Sequence, residues 1–81
     1  MKVYIVDENG QEEPIVVEPY QTVLELKQLF LEITKKKVTI DSINFTCKGE
    51  LLSDNKKTLE NYDIGEDDRI SFAIKFIGGK I

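Results

Sequence analysis

The sequence contains no histidine and only one cysteine, Cys47, among its 81 residues. Without histidine the chain cannot assemble a Ser-His or Cys-His nucleophile pair, so catalysis of that type is excluded. A single cysteine also excludes an internal disulfide, and the fold must therefore be stabilised by packing alone. The alternating pattern around Cys47 turns its side chain inward, which favours a core-packing role over a reactive thiol.

The chain has no excess of positive charge and no long hydrophobic run, and its 15 acidic residues outnumber its 11 lysines and arginines. The formal net charge is −4 and the isoelectric point is about 4.8, which disfavours a general nucleic-acid-binding protein. The longest apolar run, Val3-Tyr4-Ile5-Val6, is far shorter than the roughly 20 residues that span a bilayer, so no membrane association is predicted. Because a strand follows Met1 directly, no signal peptide is predicted, and we expect a cytoplasmic or nuclear location, or both.

The residues that are present indicate one small globular domain that begins with a β-hairpin. Residues 2–6 alternate as a strand, Asn9-Gly10 supplies a turn, and residues 15–17 return as a second strand. Pro14 lies inside this second run. Because proline cannot donate to a β-ladder, we expect the second strand to lie at a sheet edge.

A helix is predicted after this hairpin. Thr22 and Glu25 match a capping box, in which the threonine oxygen accepts a hydrogen bond from a helical amide and the glutamate reaches back to the cap. Apolar residues then recur at helical spacing and predict the face that packs on the core: Val23, Leu26, Leu29, Phe30 and Ile33. Lys35-Lys36-Lys37 follow at the predicted C-terminal end, where positive charge suits the helix dipole.

The second half of the chain predicts two more strands around one short helical turn. Residues 43–47 alternate, so the side chains that face the core should be Ile43, Phe45 and Cys47. A turn is predicted at residues 48–50 and a helical turn at residues 58–62. The final strand runs from Arg69 to Phe76, and it should lie centrally beside the first strand because no later element could cover a further edge.

In this order the motifs resemble the ubiquitin family of ubiquitin-like modifiers, diverged from ubiquitin itself. Three groups of residues carry the resemblance: Val3, Ile5, Gly10, Val17, Glu18-Pro19, Thr22, Val23, Leu26, Lys27 and Phe30 in the hairpin and helix; Asp41, Phe45, Gly49, Leu52 and Asp54 in the third-strand region; and Thr58-Leu59, Tyr62 and Ile64 in a Thr-Leu…Tyr-x-Ile signature. The resemblance implies an α+β fold of the β-grasp type, in which a mixed sheet packs on one main helix with a short second helical turn. It assigns residues 1–77 to this domain and residues 78–81 to a flexible diglycine tail with a two-residue extension.

The tail would carry the function that the resemblance implies. In the family, an activating enzyme uses ATP to convert a terminal glycine carboxylate into a thioester, and a target amine then forms an isopeptide bond. Gly78 and Gly79 are the corresponding conjugation residues. Because the Gly79 carbonyl is held in a peptide bond to Lys80, a protease would first have to remove Lys80-Ile81. No catalytic residue, metal or cofactor is predicted for the chain itself.

The resemblance implies that activating enzymes recognise the segment just before the diglycine, which is Lys75, Phe76 and Ile77. Lys75 stands where ubiquitin has an arginine, and lysine cannot form the bidentate contact that arginine makes. Ile77 replaces a second arginine. We therefore expect ubiquitin's own activating enzyme to handle this tail poorly.

Two partner surfaces are predicted. On the open face of ubiquitin's sheet an aliphatic patch binds many partners, but the matching residues here are polar or small: Glu8, Thr46, Ser71 and Ala73. Burying an unpaired polar group costs about 1–3 kcal/mol, so standard ubiquitin receptors should not bind. A smaller substitute patch is predicted from Tyr4, Val6, Thr46 and Ala73. A second anchor is predicted on the helix, where Leu24 and Leu31 lie seven residues apart and off the core face.

Two alternatives to the modifier function stay open. The first is a non-conjugated ubiquitin-like module that binds other proteins, and the second is a sulfur carrier whose Gly79 would become a thiocarboxylate. Residues beyond the diglycine count against the sulfur carrier. In each case we expect a monomer whose partners are proteins: activating, conjugating and deconjugating enzymes, or a receptor for ubiquitin-like domains. Lys27 is expected to be buried, and Glu66-Asp67-Asp68 to be a solvated turn.

Overall fold

The computed structural model describes residues 1–75 of the chain. Its elements follow in the order β1 (Lys2–Val6), β2 (Glu12–Val16), α1 (Val23–Thr34), β3 (Ile43–Cys47), β4 (Glu50–Leu51) and β5 (Arg69–Ile74). Two short 3-10 helices, Ile40–Ser42 and Glu60–Tyr62, lie before β3 and before β5. Within residues 1–75 no helix is long and apolar enough to cross a lipid bilayer. The last strand was predicted to run to Phe76, but β5 ends at Ile74 and does not include Lys75; Phe76 itself lies outside the described residues.

The strands form one mixed sheet in the order β2-β1-β5-β3-β4. β5 runs parallel to β1, with Ile5 beside Ile70, and antiparallel to β3, with Phe45 beside Phe72. The prediction that the last strand inserts centrally beside the first is confirmed. Together with the single main helix, this arrangement confirms the predicted α+β class.

Pro14 lies in β2 at the sheet edge, as predicted. The Met1 and Val17 backbones exchange two hydrogen bonds, of 2.7 Å and 2.8 Å, so the odd-numbered residues of β2 direct their backbone groups toward β1. Pro14, which is opposite Tyr4, is even-numbered and directs its backbone away from β1. The missing proline N–H therefore removes no bond from the ladder, which explains why a proline is tolerated within this strand.

The capping box at the start of α1 is confirmed in both directions. The Thr22 hydroxyl accepts from the Glu25 N–H at 3.2 Å, and the Glu25 carboxylate accepts from the Thr22 N–H at 2.9 Å. The helix ends at Thr34. Lys35 then adopts a left-handed conformation with φ 60°, and its N–H donates to the Leu31 carbonyl at 2.8 Å. The lysine run thus lies beyond the helix, and the last turn of α1 carries no basic residue.

The core lies between α1 and one face of the sheet and is centred on three phenylalanines. The Phe30 ring of α1 is 4.8 Å from the ring of Phe72 and 5.7 Å from that of Phe45, measured between ring centroids. All three side chains are buried. The Phe30–Phe45 contact is edge-to-face, and aromatic contacts of this kind add to the free energy gained from burial alone. The inward orientation predicted for Ile43, Phe45 and Cys47 is confirmed.

The predicted core face of α1 needs a correction at Ile33. Val23, Leu26 and Phe30 are buried, and Leu29 is partly buried against the core, whereas the Ile33 side chain is 43% exposed. Lys27, by contrast, is buried. Ile33 belongs to the last turn of α1, next to the mouth of a groove that opens between the helix and the β1–β2 hairpin. Ile33 has the helical spacing of a core residue, but part of its side chain stays exposed to solvent because it borders this groove.

Candidate functional site

The open face of the sheet, opposite α1, brings together the residues of the predicted substitute patch. Val6 and Ser71 are partners between β1 and β5, and Ser71 and Thr46 are partners between β5 and β3. Because registered partners on neighbouring strands share a face, these side chains form one row across the sheet. Ala73 lies on the same face, opposite Asn44. The polar residues predicted for the middle of this face, Ser71 and Thr46, are therefore neighbours in this row, with the aliphatic Val6 beside them.

An ion pair covers part of the apolar surface on this face. The Arg69 Nε donates to Glu12 Oε2 at 2.7 Å, and Nη2 donates to Oε1 at 3.5 Å. The Arg69 guanidinium lies 5.3 Å from the centre of the Tyr4 ring, and the Lys2 ammonium lies 5.6 Å from it. The Glu12 carboxylate raises the pKa of Arg69. Tyr4 is half-buried. Lys2 and Arg69 cover part of its ring, so less of this residue of the substitute patch is open to a partner.

Leu51 extends the open face beyond the residues that we predicted. It pairs with Thr46 through β4, and its side chain is 49% exposed. The two-residue strand β4 was not predicted, because two residues cannot show an alternating pattern. The sequence signal that could have revealed it is Gly49 within the turn predicted at residues 48–50, because glycine readily adopts positive φ. In the structure Lys48 and Gly49 form the turn, with φ of 54° and 81°, and Glu50 already belongs to β4. Turns of this kind favour a tight hairpin, and the hairpin places Leu51 beside Thr46.

The predicted leucine anchor on α1 is less exposed than expected. Leu24 and Leu31 are both half-buried, and Leu31 packs against the core. The loop after β4 runs along this side of the helix, where the Leu24 N–H donates to the Asn55 carbonyl at 3.1 Å. Both leucines are therefore only partly exposed, because this loop approaches the helix at Leu24 and the core extends to Leu31. Their role as a partner anchor stays a prediction.

Lys27 lies on the same flank of α1, and its burial is confirmed. Its ammonium donates to Asn55 Oδ1 at 2.8 Å. Burial lowers the pKa of Lys27, and the positive charge of Lys75 lowers it further, while Asp41 acts in the opposite direction. Because the residue is only 6% exposed and its ammonium is hydrogen-bonded to Asn55, Lys27 is poorly placed to accept another modifier.

The acidic turn before β5, Glu66-Asp67-Asp68, is stabilised by a hydrogen bond and an ion pair of Asp68. Asp68 Oδ2 accepts from the Gly65 N–H at 2.7 Å and lies 3.1 Å from the Lys48 ammonium. These contacts, first the Gly65 N–H and then Lys48, lower the pKa of Asp68. Residues 1–75 contain no group of His, Cys, Asp or Glu side chains that could hold a metal ion. Cys47 is buried, and burial raises the pKa of its thiol.

The start of the predicted recognition segment is visible at Lys75. Its N–H donates to the Ser42 carbonyl at 2.8 Å, and its side chain is exposed. Phe76 and Ile77, the conjugation residues Gly78 and Gly79, and Lys80 at the predicted cleavage point lie outside the described residues. Their roles stay predictions.

A comparison with known protein families matches residues 2–77 to the Ubiquitin family. This match covers nearly the whole chain and agrees with the mixed sheet, the main helix and the short 3-10 turns described above. The chain belongs to the ubiquitin family. A comparison with curated protein sequences found no match.

Membership of the ubiquitin family establishes the β-grasp fold and limits the general role of the domain. Ubiquitin-like domains are generally non-enzymatic modifiers or binding modules, and they generally interact with proteins. The family match ends at residue 77, one residue before Gly78. The function of the diglycine in this ubiquitin-family chain is therefore a separate question.

Proposed function

We propose that this ubiquitin-family protein is a protein modifier, conjugated through the carboxylate of Gly79 to amines of target proteins after removal of Lys80-Ile81. The observation that carries the proposal is the position of the diglycine. Gly78 follows Ile74, the last residue of β5, by four positions (78 − 74 = 4). A segment of this length can extend at most about 14 Å, enough to carry the diglycine away from the folded domain.

The residue type suits the chemistry that the proposal requires. Glycine has no Cβ, so two consecutive glycines can thread a narrow enzyme channel and present a carbonyl to a nucleophile without steric hindrance. Hydrolysis of the Gly79–Lys80 peptide bond releases Lys80-Ile81 and leaves a carboxylate on Gly79. ATP-dependent activation and transfer then form an amide between that carboxylate and a target lysine. All catalytic groups are supplied by the partner enzymes, which agrees with a chain that has no histidine.

Three versions of the chain test the proposal: the full chain, a chain that ends at Gly79, and the same truncated chain with Gly79→Ala. Each is added with ATP to a lysate of the cells that produce the protein. We expect only the chain that ends at Gly79 to form a thiol-sensitive, ATP-dependent adduct, seen on a non-reducing gel and abolished by a reducing agent. Equal behaviour of all three versions would rule out conjugation through Gly79.

The second candidate function is a non-conjugated module that binds other proteins. Lys75 and Ile77 favour it, because both depart from the arginines that activating enzymes recognise in ubiquitin. The mass of the protein recovered from its own cells distinguishes the candidates. Loss of Lys80-Ile81 or attachment to a larger protein supports the modifier, whereas an intact, unattached chain supports the binding module. For either function we propose a cytoplasmic or nuclear location and a monomer.

A further inference from the structure

The tip of the β1–β2 hairpin carries a dipeptide, Asn9-Gly10, that has no part in the proposed conjugation. Of the four asparagines in the chain, Asn9 alone is followed by glycine, whereas the other three precede phenylalanine, lysine and tyrosine. Glycine has no Cβ to shield the backbone nitrogen that follows an asparagine. Asn9 and Gly10 are both exposed, and apart from the chain neighbours no heavy atom lies within 4 Å of the place that a Gly10 side chain would take. The dipeptide is therefore open to water.

An asparagine in this setting can react with the backbone that follows it, which is one reason why asparagine is a thermolabile residue. The Gly10 nitrogen attacks Asn9 Cγ, the bond from Cγ to the side-chain nitrogen breaks, and ammonia leaves with the proton lost by the Gly10 N–H. The product is a cyclic imide. Water then opens the imide, at Cγ to give aspartate or at the main-chain carbonyl carbon of residue 9 to give isoaspartate. Each product has a carboxylate in place of the carboxamide, and water is the only co-reactant.

The backbone of the folded turn opposes this reaction. The Gly10 N–H donates to the Asp7 carbonyl at 2.9 Å, so the proton that has to leave the attacking nitrogen is held in a hydrogen bond. The Asp7 N–H donates to the Gln11 carbonyl, also at 2.9 Å. Gly10 has φ 83°, a left-handed conformation that glycine adopts without strain and that closes the turn.

The Asp7 carboxylate fixes the backbone on both sides of the reactive peptide bond. Asp7 Oδ1 accepts from the Asn9 N–H at 2.9 Å and from the Gln11 N–H at 3.0 Å. Side-chain bonds of this kind hold a turn in one backbone conformation. The imide forms only when the Gly10 nitrogen and Asn9 Cγ approach within bonding distance. Because the turn must rearrange for this approach, the contacts of Asp7 have to break first.

We propose that Asn9 is a site of spontaneous deamidation and that the Asp7 carboxylate controls its rate. The reaction proceeds from molecules in which the hairpin tip has opened, so its rate is the rate in the open chain multiplied by the fraction that is open. Aspartate adds a negative charge beside Asp7 and Glu8. Isoaspartate also lengthens the main chain by one methylene, so the turn cannot close with the same hydrogen bonds. The proposal does not involve Gly79 and stands independently of the proposed conjugation.

The proposal is tested by ageing the full chain at mildly alkaline pH, once folded and once unfolded in guanidinium chloride. Mass spectrometry of proteolytic fragments measures the conversion at each asparagine, and enzymatic methylation of isoaspartate measures that product separately. In the unfolded chain we expect Asn9 to convert well before the other three asparagines. In the folded chain its conversion should be slower by about tenfold or more, because charge-assisted hydrogen bonds hold the turn closed. Equal rates in the folded and unfolded chains, or no preference for Asn9 in the unfolded chain, would overturn the proposal.

Variants at the turn assign the protection to Asp7. In the folded chain Asp7→Ala, which removes both side-chain hydrogen bonds, should speed the conversion of Asn9 by about tenfold. Asp7→Ser should give an intermediate rate, because a hydroxyl is a weaker acceptor than a carboxylate. The matched control is Glu8→Ala, which removes an equal charge from an exposed residue of the same turn and should convert like the parent.

In guanidinium chloride the parent and all three variants should convert at the same rate, because no turn is left to protect Asn9. An unchanged amide spectrum away from the hairpin tip would verify that each variant is folded. A parent-like rate in both folded Asp7 variants would overturn the proposal, and so would an equal acceleration by Glu8→Ala, which would assign the effect to charge rather than to the hydrogen bonds.

Discussion

Arg69 reaches across β1 to Glu12 and covers the ring of Tyr4. The two ionic side chains come from β5 and β2, which are not neighbours in the sheet, and β1 lies between them. The pair therefore lies over β1, where the Arg69 guanidinium is 5.3 Å from the centre of the Tyr4 ring. This arrangement places charge over the substitute patch where ubiquitin's open face presents aliphatic side chains.

The Arg69–Glu12 pair should determine the charge of the open face of the sheet but contribute little to the free energy of unfolding. The Arg69 and Glu12 side chains are 61% and 39% exposed, and exposed ion pairs contribute little to the free energy of unfolding because water and salt screen them. We expect Glu12→Gln to unfold at nearly the same urea concentration as the parent, with the remaining difference lost at high salt. A large loss of stability that persists at high salt would contradict this prediction.

The phenylalanine cluster should dominate stability. Phe45 is fully buried and contacts the rings of Phe30 and Phe72, so Phe45→Ala should lower the free energy of unfolding by about 3–5 kcal/mol. A domain of this size has roughly 4–12 kcal/mol in total. The matched control is Ile33→Ala, which should cost less than about 1 kcal/mol because that side chain is already partly in solvent. Urea denaturation measures both, and similar losses would show that Ile33 is a core residue after all.

Most features that the sequence predicted correctly are encoded by neighbouring residues; the central position of β5 beside β1, which followed from the order of the elements, is an exception. The capping box spans Thr22 to Glu25, and the alternation of β3 is complete within five residues. The edge position of β2 follows from one local fact, that Pro14 has no N–H. Each of these can be derived without knowing what lies elsewhere in the fold.

Apart from the two-residue strand β4, the features that were missed depend on residues far apart in the chain. The Arg69–Glu12 contact joins residues separated by 57 positions, and nothing in either local pattern indicates it. Ile33 has the spacing of a core residue, but its exposure is decided by the groove between the last turn of α1 and the hairpin. Leu24 and Leu31 were misjudged for the converse reason, because the loop through Asn55 approaches that flank of the helix.

Asp68 should make stability sensitive to acid. Its folded-state pKa lies below the ordinary value of 3.8 because the Gly65 N–H and Lys48 favour the charged carboxylate. The stabilising contribution is therefore fully present above the unfolded-state pKa and is lost as pH falls through the folded-state pKa. Asp68→Asn should be less stable than the parent at neutral pH, and the two should converge in strong acid. Urea denaturation across this pH range tests the prediction, and a difference that does not change with pH would contradict it.

The hydrogen bond between the Lys27 ammonium and Asn55 can be strengthened by a substitution that raises the free energy of unfolding. The buried ammonium donates to a neutral amide oxygen at 2.8 Å, although a carboxylate at the same position would be a stronger acceptor. A hydrogen bond between two charged groups is worth more than one between a charged group and a neutral group. The loop around Asn55 is held separately by its backbone, which accepts from the Leu24 N–H, so a change of side chain should leave the loop in place.

Asn55→Asp should therefore raise the free energy of unfolding by about 1 kcal/mol at neutral pH. Because the folded-state pKa of Lys27 in the parent lies below 10.5, the folded parent binds fewer protons than the unfolded chain in the window just below that value, and its stability rises with pH there. A carboxylate at position 55 would raise the folded-state pKa of Lys27, so the advantage of the variant should shrink as pH rises through this window.

Urea denaturation of both proteins from neutral to alkaline pH measures the difference. Glu60→Asp, a conservative change at an exposed residue, should show no such trend; an advantage for Asn55→Asp that grew with pH would show that the new carboxylate does not act through Lys27.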